Sequence, residues 1–267
     1  MTRKSRDCCW HLGCILPKSA SNNRANRAII HAALLVSPTP PPAPASAHLH
    51  GLVLGRLTGF FLDGLEPPVL AAFDGAVDAL RAAGATVVDL DLLEHGLDAT
   101  ERETLFPHTV GPEFMSAFGV ERFQASVGQM DPFVGARAAG ALDVSGVQHA
   151  AALRRLREFE DLGAAAFAEA GCDCWLSPTV GMTAGTVAEL STEEGGARGA
   201  LCSKNTQLAN LIAGCAVTLP LPTAVGLPAG LQLMFPRGAD VEGLEIACKI
   251  EAALPAPPRP DLSGFLA

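Results

Sequence analysis

From residue 51 the chain alternates between two hydrophobic periods. Residues 52–57 form a short continuous apolar run, as a buried strand does. Pro67 and Pro68 then open a segment in which Val69, Phe73, Val77 and Leu80 recur at helical spacing, and Gly84 supplies a stop. Residues 86–90 read as a second strand. Strand, helix and strand in this order predict a βαβ unit with parallel pairing. Residues 98–127 carry a helical pattern interrupted by Pro107, Gly111 and Pro112, which predicts broken helix. Ser145 is placed to cap a long helix from Gly146 to Ala170, closed by Gly171.

The remainder follows the same alternation. Residues 173–177 predict a strand, 181–199 a Gly/Thr-rich loop, and 201–213 a short helix. Two more strands are expected at 217–219 and 231–235, and a closing helix at 241–254. The sum is an α/β fold: a mixed, largely parallel sheet flanked by helices, spanning about residues 51–255, with 256–267 an extended tail.

Composition separates the first 50 residues from the rest. They carry +5 against a total of −9, so the remainder carries −14. A body this acidic argues against a nucleic-acid surface. No apolar run reaches the length of about 20 residues needed to span a bilayer, so neither nucleic acid nor membrane is an expected partner. Residues 37–44 are proline-rich, and the whole leader reads as disordered or targeting-like. A cytoplasmic location is the default, with an organellar or secreted one if the leader is a targeting peptide. The eight cysteines are scattered and suit reduced thiols rather than a disulfide framework.

The chemistry-bearing residues are few. The G-x-S-x-G elbow and Ser-x-x-Lys are both absent. Ser203 precedes Lys204, but adjacency does not aim a base at a hydroxyl, and a polar helix start explains the pair better. Cys172 and Cys174 have no histidine close in sequence. His149 lies on a predicted helix, where a solvated role is expected. The tract Cys8–Cys14 with His11 concentrates soft ligands but lacks a second ligand pair at zinc-site spacing, so no metal is expected. Glu101, Glu103 and Glu113 read as a solvated face, and Gly195-Gly196 is not a phosphate loop.

A series of short motifs adds what periodicity cannot. In order they are Asp173 with Leu176-Ser177-Pro178-Thr179, then Asn205-Thr206, the run from Asn210 to Pro220, and Gly226-Leu227-Pro228-Ala229-Gly230-Leu231-Gln232-Leu233. This order resembles the C-terminal half of the amidase signature family, serine hydrolases of carboxamides. The resemblance covers about residues 51–255. It implies Asp173, Pro178, Asn210, Gly226, Pro228, Gly230 and Gln232 as structural motif residues, Arg137 and Thr179 as cleft-lining residues, and hydrolysis with no metal or organic cofactor.

Departures from the family pattern are local but specific. The family's glycine falls on Ala213, its proline on Cys215, and Pro222 stands where a glycine is expected. The family places its nucleophile in a Gly/Ser-rich segment with two adjacent serines, assisted by a distant lysine, in the half that precedes the matched region. This chain contains no Ser-Ser pair, so no catalytic residue is carried over. The expectation is a truncated amidase-like chain, catalytically incomplete by itself. The alternatives are one half of a split amidase or amidotransferase that needs a separate catalytic half, and a non-enzymatic remnant that binds a small amide.

Overall fold

The computed structural model describes residues 48–256. The leader through residue 47, with its proline-rich linker and sulfur-rich tract, and the tail beyond 256 lie outside the described residues. In chain order the elements are β1 (Val53–Leu57), α1 (Pro67–Ala82), β2 (Thr86–Leu90), α2 (Arg102–Phe118), α3 (Val120–Ser126) and α4 (Pro132–Ala139). There follow α5 (Gly146–Ala170), β3 (Cys174–Pro178), α6 (Val187–Leu190), α7 (Glu193–Gly199), α8 (Gln207–Leu211), β4 (Cys215–Leu221), β5 (Ala229–Phe235) and α9 (Asp240–Ala253).

The strands form one sheet in the order β2-β1-β3-β5-β4. β1 runs parallel to both β2 and β3, whereas β5 runs antiparallel to β3 and β4. The sheet is mixed, as expected, and its parallel part is the half built from β2, β1 and β3. The reason is chain length: β4 and β5 are joined by residues 222–228 alone, too short for the crossover that parallel strands require.

Alternation along the strands sorts two cores onto the two faces. Leu54, Cys174, Leu176, Leu231, Leu233 and Phe235 point to one side, where Val69, Phe73, Val77 and Leu80 of α1 meet Ile246 and Ile250 of α9. Trp175 and Met234 point to the other, beneath Phe159 and Phe167 of α5 and Leu208 and Leu211 of α8. Phe167 stacks flat on Trp175 with ring centroids 3.7 Å apart. Helix α5 begins and ends where its sequence signals place it: Ser145 and Gln148 form a reciprocal capping box, and Gly171 closes it at φ 58°.

Two expectations fail, each for a physical reason. Helix α2 is continuous through Pro107 and Pro112. A proline removes the amide that would bond the carbonyl four residues earlier, so Pro112 orphans the His108 carbonyl. His149 of α5 fills that vacancy, with Nδ1 2.8 Å from the His108 oxygen. A carbonyl only accepts, so Nδ1 is the donor. His149 is therefore a tertiary hydrogen-bond donor rather than a solvated side chain. The break falls instead at Gly119, with φ 93°. Residues 181–199 are not a plain loop. Thr186 and Glu189 make a second capping box that starts α6, and α7 follows. That T-x-x-E signature is present in the sequence.

The motif departure at Ala213 resolves as strain. Ala213 has φ 49°, the one non-glycine residue with positive φ among the described residues. The turn between α8 and β4 holds a left-handed residue that is not glycine, and an L side chain there costs about 1–2 kcal/mol. Ala213→Gly is expected to stabilise the protein by about 1 kcal/mol, after allowing for the greater freedom glycine gives the unfolded chain. Urea unfolding would show a higher midpoint at unchanged slope, and an unchanged or lower midpoint would refute the strain.

Candidate functional site

The chain leaves β1 for β2 on one side and later returns to β3 on the other. The carboxyl ends of β1 and β3 therefore flank a reversal of strand order, the position where open α/β sheets present a ligand crevice. Four segments converge there: residues 58–66 after β1, 179–186 after β3, the β4–β5 connection, and the chain from 200 into α8.

A buried polar cluster fixes how these segments meet. Asn205 is fully buried, and its Nδ2 donates to the Phe61 carbonyl at 3.1 Å and to the Pro178 carbonyl at 2.7 Å. Gln232, opposite Ser177 in the β3–β5 ladder, donates from Nε2 to the Asn205 carbonyl at 3.2 Å and to Ser177 Oγ at 3.4 Å. Three segments from separate parts of the chain are thus tied by two side-chain amides. Asn205 Oδ1 itself is buried without a partner.

The other motif residues divide by position. Asp173 staples the amino ends of β3 and β1: its Oδ2 accepts the Val53 amide and its own amide donates to the Val53 carbonyl, both at 2.7 Å. Gly230 lies against Thr179, whose amide donates to the Gly230 carbonyl at 2.8 Å and whose Oγ1 meets Thr218 Oγ1 at 3.3 Å. A Cβ on Gly230 would stand 2.6 Å from Thr179 Oγ1, so no larger residue fits. Gly226 holds φ 81° in the β4–β5 connection, with Pro228 exposed beside it. Asn210 is exposed on α8; its backbone carbonyl accepts the Ala213 amide.

Between α1, residues 183–198 and the β4–β5 connection lies an open cleft of about 580 Å³. Thr183, Arg198, Glu189, Val225 and Leu227 line it, whereas Thr179 and Arg137 do not. Arg137 sits exposed in the last turn of α4, over the Phe133 ring at 5.8 Å. Glu66 anchors the cleft wall. Its carboxylate takes Arg198 Nε at 2.5 Å and the Thr183 amide and hydroxyl at 2.9 and 3.0 Å. The Arg198 hydrogen bond, helped by those from Thr183 and opposed by burial, pulls the Glu66 carboxyl down to about 2.

Nothing among the described side chains is primed as a nucleophile. Ser177 is fully buried, and no described serine hydrogen-bonds a lysine or histidine. Lys204 Nζ donates to the Asp63 carbonyl rather than to Ser203. Burial raises the Cys172 and Cys174 thiols and pushes Cys215 up to about 12, the wrong direction for a reactive thiolate. Glu101 is not on a solvated face: Arg155 grips both its oxygens, at 2.6 and 2.8 Å. No group of three or more His, Cys, Asp or Glu is placed to hold a metal among the described residues, and none of their helices is long and apolar enough to cross a membrane.

Lys204, Arg102, Glu66 and Arg198 are the residues that sequence reading left without a site role. The one signal was scarcity: Lys204 is one of two lysines in the whole acidic body.

Comparison with known proteins agrees with the motif order. A family model described as Amidase matches residues 26–244, which takes in the whole sheet and also residues 26–47. The chain is 33% identical over 258 residues to 2-amino-5-chloromuconic acid deaminase of Comamonas testosteroni, covering 92% of this chain and 54% of that protein. It is 30% identical over 236 residues to a glutamyl-tRNA(Gln) amidotransferase subunit of Salinispora arenicola, covering 79% and 46%. Among solved structures, a crystal structure of an amidase superposes with a TM-score of 0.70 at 20% identity, over 87% of this chain and 51% of that one. The chain spans about half the length of the curated relatives it matches.

Two outcomes follow from this geometry. Asn205→Ala strands two buried carbonyls, and is expected to cost about 2–4 kcal/mol in urea unfolding; a loss below about 1 kcal/mol would mean that the amide bridge is dispensable. Glu66 is depressed from 4.5 to about 2 in the folded protein. Its contribution is therefore complete above the unfolded value and fades as pH falls from about 5 to about 2. The stability gap between wild type and Glu66→Gln should close over that interval, and a gap constant with pH would refute the assignment.

Proposed function

The chain belongs to the amidase family, and on that premise we propose that it provides the substrate-side half of a fold acting on carboxamide C–N bonds, while the nucleophile comes from a separate catalytic half. One observation carries this reading. The carboxyl ends of β1 and β3 are braced by Pro178, Gly230 and Gln232, yet among the described residues no serine there is paired with a lysine or histidine. The Thr183 hydroxyl meets only the Glu66 carboxylate, which Arg198 already neutralises.

Amide hydrolysis needs a nucleophile activated by a neighbouring base, and donors facing the oxyanion that forms. In this reading the crevice supplies walls and fixed polar groups, and the catalytic half supplies the attacking oxygen. Water is added across the C–N bond, releasing an acid and an amine, with no metal or organic cofactor required. The partner is thus a catalytic half of the same family, and the ligand a small amide. A second reading, a remnant that binds amides without turning them over, is favoured by the open cleft beside α1.

Purified chain is expected to leave a simple anilide uncleaved and to take up no fluorophosphonate probe. Saturable turnover, or a probe adduct on one discrete side chain, would overturn the proposal. Thermal stabilisation by an amide in the absence of any added polypeptide would favour the binding remnant.

A further inference from the structure

Phe60, in the turn Gly59–Phe61 that follows β1, has two cations against its ring. Lys204 Nζ lies 4.7 Å from the ring centroid, and the Arg102 guanidinium carbon 5.5 Å. One comes from the chain before α8 and the other from the first residue of α2, so tertiary structure alone brings them together. Both are partly withdrawn from water; the Arg102 side chain keeps 16% of its exposure. Burial draws the Lys204 amine below its ordinary range and the nearby Arg102 charge adds to this, with Asp63 opposing.

Neither cation is well neutralised. Among the described residues Lys204 forms no ion pair with a carboxylate, and its Nζ donates to the Asp63 backbone carbonyl. Arg102 Nη1 donates to the neutral Gln207 amide at 3.0 Å, and Nη2 reaches the largely exposed Glu103 at 3.4 Å. Its Nε is buried with no acceptor among the described residues. The nearby acids, Asp63 and Glu103, are exposed and screened by water. Two like charges on one ring, half-desolvated, with a buried donor left over, form an arrangement that an anion would relieve. It stands beside Asn205, which bridges the carboxyl ends of β1 and β3.

We infer that Lys204 and Arg102 form a carboxylate-binding subsite, so that the ligand of this crevice is an amide that also carries a carboxylate, such as the monoamide of a short dicarboxylic acid. A guanidinium edge and one ammonium match a planar two-oxygen monoanion; a phosphate dianion would call for more donors than these. The word amide rests on the family reading above, whereas carboxylate binding does not, and it needs no turnover.

The test is ligand-dependent thermal stabilisation of the full chain at constant ionic strength, with succinamate, its neutral counterpart succinamide, and inorganic phosphate as probes. Succinamate alone should raise Tm. Lys204→Met should weaken the effect about tenfold or more, and Lys204→Arg should restore most of it. Equal stabilisation by succinamide or phosphate, or an unchanged response in Lys204→Met, overturns the subsite. Should Lys204→Met fail to fold, wild-type protein decides. Its four lysines allow dimethyl-lysine NMR to follow the Lys204 amine, whose pKa should rise on adding succinamate; no movement refutes the proposal. Anilide turnover is irrelevant to every arm, so loss of the subsite and loss of the amidase reading are distinguishable.

Discussion

The carboxyl ends of β1 and β3 keep their spacing because one buried amide bridges them. Asn205 holds the carbonyls that follow β1 and end β3, and Gln232 holds Asn205 in turn. Each of these groups is shut away from water, where an unmet hydrogen bond costs about 1–3 kcal/mol. The bridge therefore specifies the distance between the β1 and β3 ends rather than merely adding stability. Thr179, Gly230 and the chain leading into α8 take their places from that spacing, as does the cation pair on Phe60. Buried polar clusters that are almost fully satisfied have this specifying effect, because few other packings satisfy them.

Elsewhere the fold breaks local rules and compensates across elements. Pro112 takes a donor out of α2, and His149 returns one from α5. Gly163 leaves α5 room for Ile212, since a Cβ there would stand 2.6 Å from the Ile212 Cβ. The Ala213 turn has no such remedy and carries its strain openly. That turn launches β4, whose ladder with β5 runs from Cys215 to Leu221, so the whole ladder offsets the cost of one residue.

Charge is handled in two opposite ways on either side of the short segment 63–66. Glu66 and Arg198 neutralise one another and tie the 181–199 region to the start of α1. Lys204 and Arg102 are left short of anions, in a body whose net charge is strongly negative. An acidic protein has carboxylates to spare, so this deficit reflects placement rather than composition. The pair is distinct from Glu101–Arg155, where a bidentate contact fixes α5 against the turn before α2 and plays no part in the crevice.

Most of the fold was legible in the chain itself. The βαβ unit, the capped helix from Gly146 to Ala170 and the five strands follow from apolar period, proline and glycine placement and a serine cap, all of which act over a few residues. The order of motifs ending in Gly226–Leu233 likewise pointed to the family that the comparisons show. Local signals failed where a distant partner decides the outcome. The carbonyl that Pro112 orphans in α2 is served by a histidine 41 positions away, and the cation pair on Phe60 joins residues 60, 102 and 204. Periodicity reports which face of an element is buried, but not which polar atom lies across from which. That pairing is set by how the layers close over the sheet, and it belongs to the tertiary structure alone.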